Sequence, residues 1–217
     1  MTRTTRRASK TTTPTTRTWS RVANVAKKST PERVARVQSP GNLAWLDLEM
    51  TGLNPQADVI LQAALIVTDA GLNVLEEFVC DIWQPDALLE RMVPFVKEMH
   101  ETTGLTARVR KSKVDLMVSE RKLLERVAGW CAYPAVLCGN TIGQDKRFVD
   151  QWMPGLSGYL SYRTIDVTSI KLLAKAWYGE EAVYEKPVKG EHDALVDIQN
   201  SIAELAHYRA TVFKTPA

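Results

Sequence analysis

Cysteine is scarce in this chain, three among 217 residues. Cys80, Cys131 and Cys138 are an odd number without any C-x-x-C spacing, so neither a disulfide framework nor a zinc knuckle is expected, and a reducing compartment is. Long apolar runs are also missing. No stretch approaches the roughly eighteen apolar residues that span a bilayer, and the N-terminus has no apolar core of a secretion signal. These absences predict a soluble, non-secreted protein with no membrane partner, cytoplasmic in the first instance.

Acidic residues are almost absent from one region only. Met1 to Pro40 holds ten of the 28 Lys and Arg and a single acid, Glu32, so the other 18 basic residues stand against 24 acids. The leader is strongly basic and the body, residues 41–217, is acidic. A body of that charge does not suit a protein that grips long duplexes by neutralising many phosphates, which needs a basic face. The Thr- and Arg-rich leader shows no apolar period and is expected to be disordered. Its lack of acids also fits a mitochondrial transit peptide, and a third reading gives it a weak electrostatic affinity for RNA.

The body begins with strands. "AWLDLEMTGL", "DVILQAALIVTDA" and "VLEEFVCDIW" alternate or run apolar, with turn residues in "DAGLN", and predict a three-stranded antiparallel meander. Helical spacing follows in "PDALLERMVPFVKEMHETTG" and in "DLMVSERKLLERVAGWC", where Leu116, Leu123, Leu124 and Val127 share a stripe. "AVLCGN" is a short strand, "GQDKRFVDQWM" a helix, "RTIDV" a short strand and "TSIKLLAKAWYG" a helix ended by Gly179. A last helix runs from Asp193 to Tyr208 with Leu195, Ile198, Ile202 and Leu205 buried. The order predicts an α/β fold, a mixed sheet of about five strands covered by helices.

Within the first strand, Asp47 and Glu49 share one face, because side chains alternate with period two. A strand at the edge of a sheet, one face in water, would explain two acids cheaply. Leu43, Ala44 and Trp45 argue for a central strand instead, where paired carboxylates lose hydration and repel each other unless a cation joins them. In the helix after "GNTIGQD", Asp145 recurs with Phe148, Val149 and Trp152 at i, i+3, i+4 and i+7, so it falls on the apolar face; favourable placement at a helix start would also account for it. Asp193 is a plausible N-cap, leaving His192 on the loop and Asp197 in the first turn. On one continuous helix His192 and Asp197 would diverge by about 140°; with the helix starting between them, both can face one pocket.

Four strings in this order, D-L-E-M-T-G-L, G-N-T-I-G-Q-D, Y-R-T-I-D-V-T and H-D-A-L-V-D-I, resemble those of the oligoribonuclease family, DEDD-type exonucleases with histidine in the third motif and a ribonuclease H-like fold. The resemblance runs from Asn42 to about Thr211. It departs from many relatives at Gln62, where they carry Glu, and in the basic leader. It implies metal ligands at Asp47, Glu49, Asp145 and Asp197, and a general base at His192. Two Mg²⁺ or Mn²⁺ ions about 3.5–4 Å apart would activate water and stabilise the leaving 3′ oxygen, and hard cations prefer such carboxylates. The same resemblance implies Leu53 as a wedge between terminal bases, Phe95 as a stacking platform, and Arg163 with Thr141 and Thr168 capping a 5′ phosphate. Without it, Leu53 and Phe95 read as ordinary core. It further implies a homodimer in which Tyr162, in the aromatic, Gly-containing segment "GYLSYRTIDV" that reads as a surface loop, reaches the partner's site.

The expected activity is 3′-to-5′ hydrolysis of very short single-stranded RNA, dinucleotides to about five nucleotides, to 5′-mononucleotides. The alternatives are a DNA proofreading-type exonuclease sharing the four acids and the histidine, and a catalytically silent short-RNA-binding module, which would have no need of the base.

Overall fold

The computed structural model describes residues 35–186 and 193–214. By its contacts the chain divides into Met1–Ala35 and Arg36–Ala217, and the second unit carries the fold. The expected disorder of the leader up to residue 34, and His192, lie outside the described residues.

Five strands form one sheet in the order β3-β2-β1-β4-β5. Three of them, β1 (Leu43–Met50), β2 (Ile60–Thr68) and β3 (Val74–Asp81), make the expected meander. The fourth, β4 (Ala135–Gly139), lies parallel to β1, and β5 (Leu160–Asp166) lies parallel to β4. β1 is therefore the middle strand, and the cheap explanation of its two acids, an edge strand half in water, does not apply. Its even positions Ala44, Leu46 and Leu48 enter a core with α4 (Leu116–Trp130), α5 (Gly143–Trp152) and α6 (Pro154–Tyr159), through Leu123, Val127, Phe148, Val149 and Leu156. Trp45 on the other face packs with α7 (Val167–Tyr178) and α8 (Ala194–Thr211), through Val167, Ala174, Ala194, Ile198 and Tyr208. Asp47 and Glu49 share this second face, and so α8 is the helix they meet.

Proline makes the largest departure from the expected elements. The helical spacing over residues 85–104 is cut in two, α1 (Asp86–Leu89) and α2 (Pro94–Thr102), because Pro94 holds Val93 extended at ψ 151° and then serves as the first residue of α2. A further helix, α3 (Leu105–Lys111), follows Gly104, whose φ of 70° reverses the chain. Leu61, Leu89, Met92, Leu105 and Val109 pack α1 and α3 into a separate small cluster. Tyr162 and Arg163 are not in a loop: they lie in β5, which begins three residues before "RTIDV" and is the exposed edge of the sheet. The stripe of α8 is also rotated from its expected position, with Ser201, Glu204 and Tyr208 buried beside Ile198 while Leu195, Ile202 and Leu205 are half-buried. Gly179 ends α7 at φ 92°, as expected.

Residues 36–40, basic by composition, pack on the body. Arg36 pairs with Glu76 at 2.7 Å, Ser39 donates its N–H to Trp130 O at 3.0 Å, and Ala132 donates to Ser39 O at 3.2 Å. A chain starting at Arg36 should melt with the full-length protein. One starting at Gly41 loses these bonds and should melt about 4 °C lower by circular dichroism, given about 1 kcal/mol for two backbone hydrogen bonds and a surface ion pair.

Candidate metal centre

Asp47 and Glu49 leave β1 on the α8 side, and Asp197 comes to meet them from the first turn of α8. One carboxylate oxygen from each lies within 4.8 Å of the others, the only such group of three or more potential ligands among the described residues. The local sequence explains the placement. Asp47 faces Ala64 across the β1–β2 ladder and Glu49 faces Gln62, so neither acid meets a bulky or charged cross-strand neighbour. Asp193 caps α8 by accepting from the N–H groups of Leu195 at 3.0 Å and Val196 at 3.3 Å, which starts the helix at Ala194, three residues before Asp197. The expected break between His192 and Asp197 therefore exists, with His192 itself outside the described residues.

Asp145 stands beside these three rather than among them. It is buried on the apolar face of α5, as its spacing predicts, and its Oδ1 accepts the N–H of Leu48 from β1 at 3.0 Å. Asp150, at the outer surface of the same helix, pairs with Lys146.

The electrostatics follow from four acids held in little water. Burial drives the carboxyl of Asp47 well above its usual range, and Asp145, Glu49 and Asp197 add repulsion that Lys186 partly offsets. Burial, then Asp197, Asp145 and Asp193, push Glu49 up to about 7. Burial also takes Asp145 to about 7, against the pull of its bond to Leu48 N–H, with Asp166 adding repulsion. Oxygen-only donors that are desolvated and mutually repelling fit a hard divalent cation, which would favour the ionised state of Asp47, Glu49 and Asp145.

Several neighbours that the sequence did not single out shape this centre. His100, the one buried residue of α2, places Nε2 at 2.9 Å from Met50 O; a carbonyl only accepts, so Nε2 carries the proton and Nδ1 faces Glu49 Oε2 at 3.9 Å. After β1 the chain turns tightly. Asp58 accepts from the Thr51 hydroxyl at 3.1 Å and the Asn54 N–H at 2.9 Å, and it lies so close under Gly52 that a Cβ there would come within 2.5 Å of its oxygen. Gln144, next to Asp145, donates to Leu53 O at 2.7 Å. The signals were faint: a histidine at an apolar position of a helix, and a glycine six residues before an aspartate.

Leu53 and Phe95 are 72% and 73% exposed, so neither is core. Tyr162, 79% exposed, stands out from the edge strand with the Arg163 guanidinium 4.5 Å from its ring centre. Thr141 and Thr168 do come together, their hydroxyl oxygens 3.2 Å apart, with Asp166 accepting from both backbone N–H groups at 2.9 Å. Thr141 has φ 52°, a left-handed conformation that a β-branched residue adopts at a cost of about 1–3 kcal/mol.

Without a divalent cation, acids whose folded pKa is raised bind more protons when folded than when unfolded. Their share of stability is whole below about pH 4 and is lost as the pH rises through about 7. In chelator the melting temperature should fall between pH 5 and pH 8, adding Mg²⁺ should raise it more at pH 8 than at pH 5, and Glu49→Gln should flatten the fall. A melting temperature in chelator that is level or rising over that range would refute the electrostatic account.

An exonuclease family model, RNase_T, matches residues 44–205. The chain is 46% identical over 181 residues to the oligoribonuclease of Chromobacterium violaceum, covering 82% of this chain and 98% of that protein. It is 47% identical over 176 residues to the oligoribonuclease of Colwellia psychrerythraea, covering 80% and 96%. Among solved structures it superposes on exonuclease I from Methylocaldum szegediense with a TM-score of 0.64 at 20% identity, covering 79% of this chain and 41% of that one. On E. coli exonuclease I in complex with a dT13 oligonucleotide the TM-score is 0.65 at 16% identity, covering 80% and 42%. The chain thus spans about two fifths of the exonuclease I chains and shares their fold. With a family model over most of its body and relatives matched nearly end to end, the chain belongs to the oligoribonuclease family of exonucleases.

Proposed function

We propose that the protein is a 3′-to-5′ exoribonuclease that hydrolyses very short single-stranded RNA, dinucleotides above all, to 5′-mononucleotides. The convergence of Asp47, Glu49 and Asp197, with the buried Asp145 alongside, carries the reading. These four would hold two Mg²⁺ or Mn²⁺ ions. The ions would supply an activated water and charge stabilisation at the leaving 3′ oxygen.

The chain's own groups do the rest. His192, one residue before the α8 cap, is the proposed base that takes the proton of the attacking water, a role worth about 10²–10⁴ in rate. Leu53 and Phe95, both thrust into solvent, would hold the two bases, with stacking worth about 1–3 kcal/mol per base. The paired hydroxyls of Thr141 and Thr168, with Arg163, would receive the 5′ phosphate and so select the shortest strands. Tyr162 on the open edge of the sheet has the exposure of an interface anchor, and in the proposed homodimer it completes the partner's site. A cytoplasmic location agrees with Cys80, Cys131 and Cys138, all free thiols.

The relatives at 46% and 47% identity are oligoribonucleases, which favours RNA over the proofreading alternative. Four acids kept together at an electrostatic cost disfavour a silent binding module.

Incubation with a labelled RNA dinucleotide and Mg²⁺ should give mononucleotides, faster than from a DNA primer of twenty residues. Asp47→Asn and Asp197→Asn should lower turnover by at least about 10³-fold with the fold kept, and His192→Ala should retain cation binding while losing about 10²-fold or more. Near-normal turnover in either Asn variant would exclude the metal-centre reading. For the dimer, inactive Tyr162→Ala and Asp47→Asn proteins are mixed under conditions of subunit exchange. One mixed dimer carries both defects in a single site and leaves the other intact, so activity should return, up to about one site in four under random pairing. No recovery despite demonstrated exchange would remove Tyr162 from the partner's site.

A further inference from the structure

Glu204 is wholly buried on α8 and takes no part in the chemistry above. It lies seven residues after Asp197 and three after Ser201, on the helix face that carries the metal centre. Its Oε1 accepts from the Tyr208 hydroxyl at 3.0 Å, and its Oε2 accepts from the side-chain amide of Asn140 at 3.0 Å. Lys171 Nζ lies 3.6 Å away. The same Asn140 nitrogen lies 3.0 Å from Ser201 Oγ, which itself donates to Asp197 O at 2.9 Å.

This wiring has a direction. A carboxylate can only accept, so Glu204 fixes which end of the Asn140 amide faces α8, and Asn140 Oδ1 is turned to Thr168. Thr168 Oγ1 lies 3.2 Å from it and has one proton to give. With that proton committed, Thr168 is left as an acceptor, and it accepts from the Thr141 N–H at 3.0 Å. The Thr141 hydroxyl, 3.2 Å from Thr168 Oγ1, is then the only donor between the two: its proton goes to Thr168 in the free protein, and because Thr168 Oγ1 also accepts from the Thr141 N–H, it is the one proton that can turn to a ligand on the exposed side. The strained φ of Thr141 is held by the N–H contacts to Thr168 and Asp166.

We infer that Glu204 and Asn140 are positioning residues for recognition of the substrate's terminal 5′ phosphate: the buried Glu204–Asn140 pair sets the direction of the hydroxyl chain and leaves the Thr141 hydroxyl, its outermost group, with the one proton that can turn from Thr168 to the phosphate. The inference rests on the proposed role of the Thr141 and Thr168 pair. It adds that the selectivity is wired from α8, the helix that also supplies Asp197, so that cap and metal centre share one rigid support.

The test compares two RNA dinucleotides, one with a 5′ phosphate and one without, on the full-length protein with Mg²⁺. The wild type should show a lower KM for the phosphorylated one. In Glu204→Gln, where an amide N–H₂ meets either Asn140 or Tyr208, and in Asn140→Ala, KM for the phosphorylated substrate should rise about tenfold or more, the scale of one lost hydrogen bond to a charged group. The KM for the unphosphorylated substrate and kcat for both should stay within about twofold. Tyr208→Phe removes a bond to Glu204 without touching Asn140 and should keep the preference. If the wild type shows no preference, the cap itself is refuted and this inference with it. If the wild type prefers the phosphate and both variants keep that preference, the inference alone is overturned. Equal losses on the two substrates, with a lowered melting temperature, would likewise overturn it, leaving Glu204 a purely structural group.

Discussion

Four carboxylates, two on the middle strand of the sheet and one each on α5 and α8, lie close together, and most of the structure around them can be read as the means of tolerating their repulsion. Two like charges about 4 Å apart at an effective dielectric near 20 repel by about 4 kcal/mol, a large fraction of the 5–15 kcal/mol that holds a domain folded. Two adjustments lessen it. Protonation is one, and the high pKa of Glu49 and Asp145 is its signature. A cation is the other, and it is the one compatible with activity near neutral pH. The remaining stability comes from the opposite face of β1, where Ala44, Leu46 and Leu48 sit in an apolar core.

Several of the groups in contact with the acids order them without adding charge. Leu48 offers a backbone N–H to Asp145, and β2 offers Ala64 opposite Asp47. Gln62 lies opposite Glu49 and donates to Asp81 at 2.6 Å. A neutral amide there spares Glu49 another like charge. His100 binds a carbonyl with one nitrogen and turns the other toward Glu49, so α2, which also carries Phe95, is fastened to the end of β1. Geometry at the centre thereby extends to the side chains proposed to hold the bases.

The parts of this arrangement visible in the sequence are those that depend on local period or local capping. The shared face of Asp47 and Glu49 follows from alternation, the burial of Asp145 from its helical spacing, and the start of α8 from a capping Asp193; all three hold in the fold. The parts that were hidden depend on contacts across long stretches of chain. Asn140 and Glu204 are 64 residues apart and Gln144 and Leu53 are 91 apart, so no periodicity relates them. Pro94 is visible in the sequence, but a helical pattern on both sides conceals that α1 stops at Leu89 and that the proline begins a new helix. Tyr162 was read as loop because Gly and aromatic residues are common there, while β4 recruits the segment as an edge strand through pairing that no local signal encodes. The outward exposure of Leu53 and Phe95 also lay beyond local pattern, because each is an ordinary apolar residue until the fold leaves it without a core to enter.

The charge of the body then limits how a substrate can be held. With 18 basic against 24 acidic residues after Pro40, the body stays net negative even with two divalent cations seated, so it cannot draw affinity from the release of many counterions along a strand. What would remain, on the proposed site, is a small number of placed contacts: two bases on exposed apolar side chains, one phosphate at the metal centre and one at the Thr141 hydroxyl. Each further nucleotide would add a phosphate facing an acidic surface and gain no equivalent contact. On the proposed site short substrates would thus be favoured twice, by a cap that ends the site and by a surface that gives a longer strand nothing to bind.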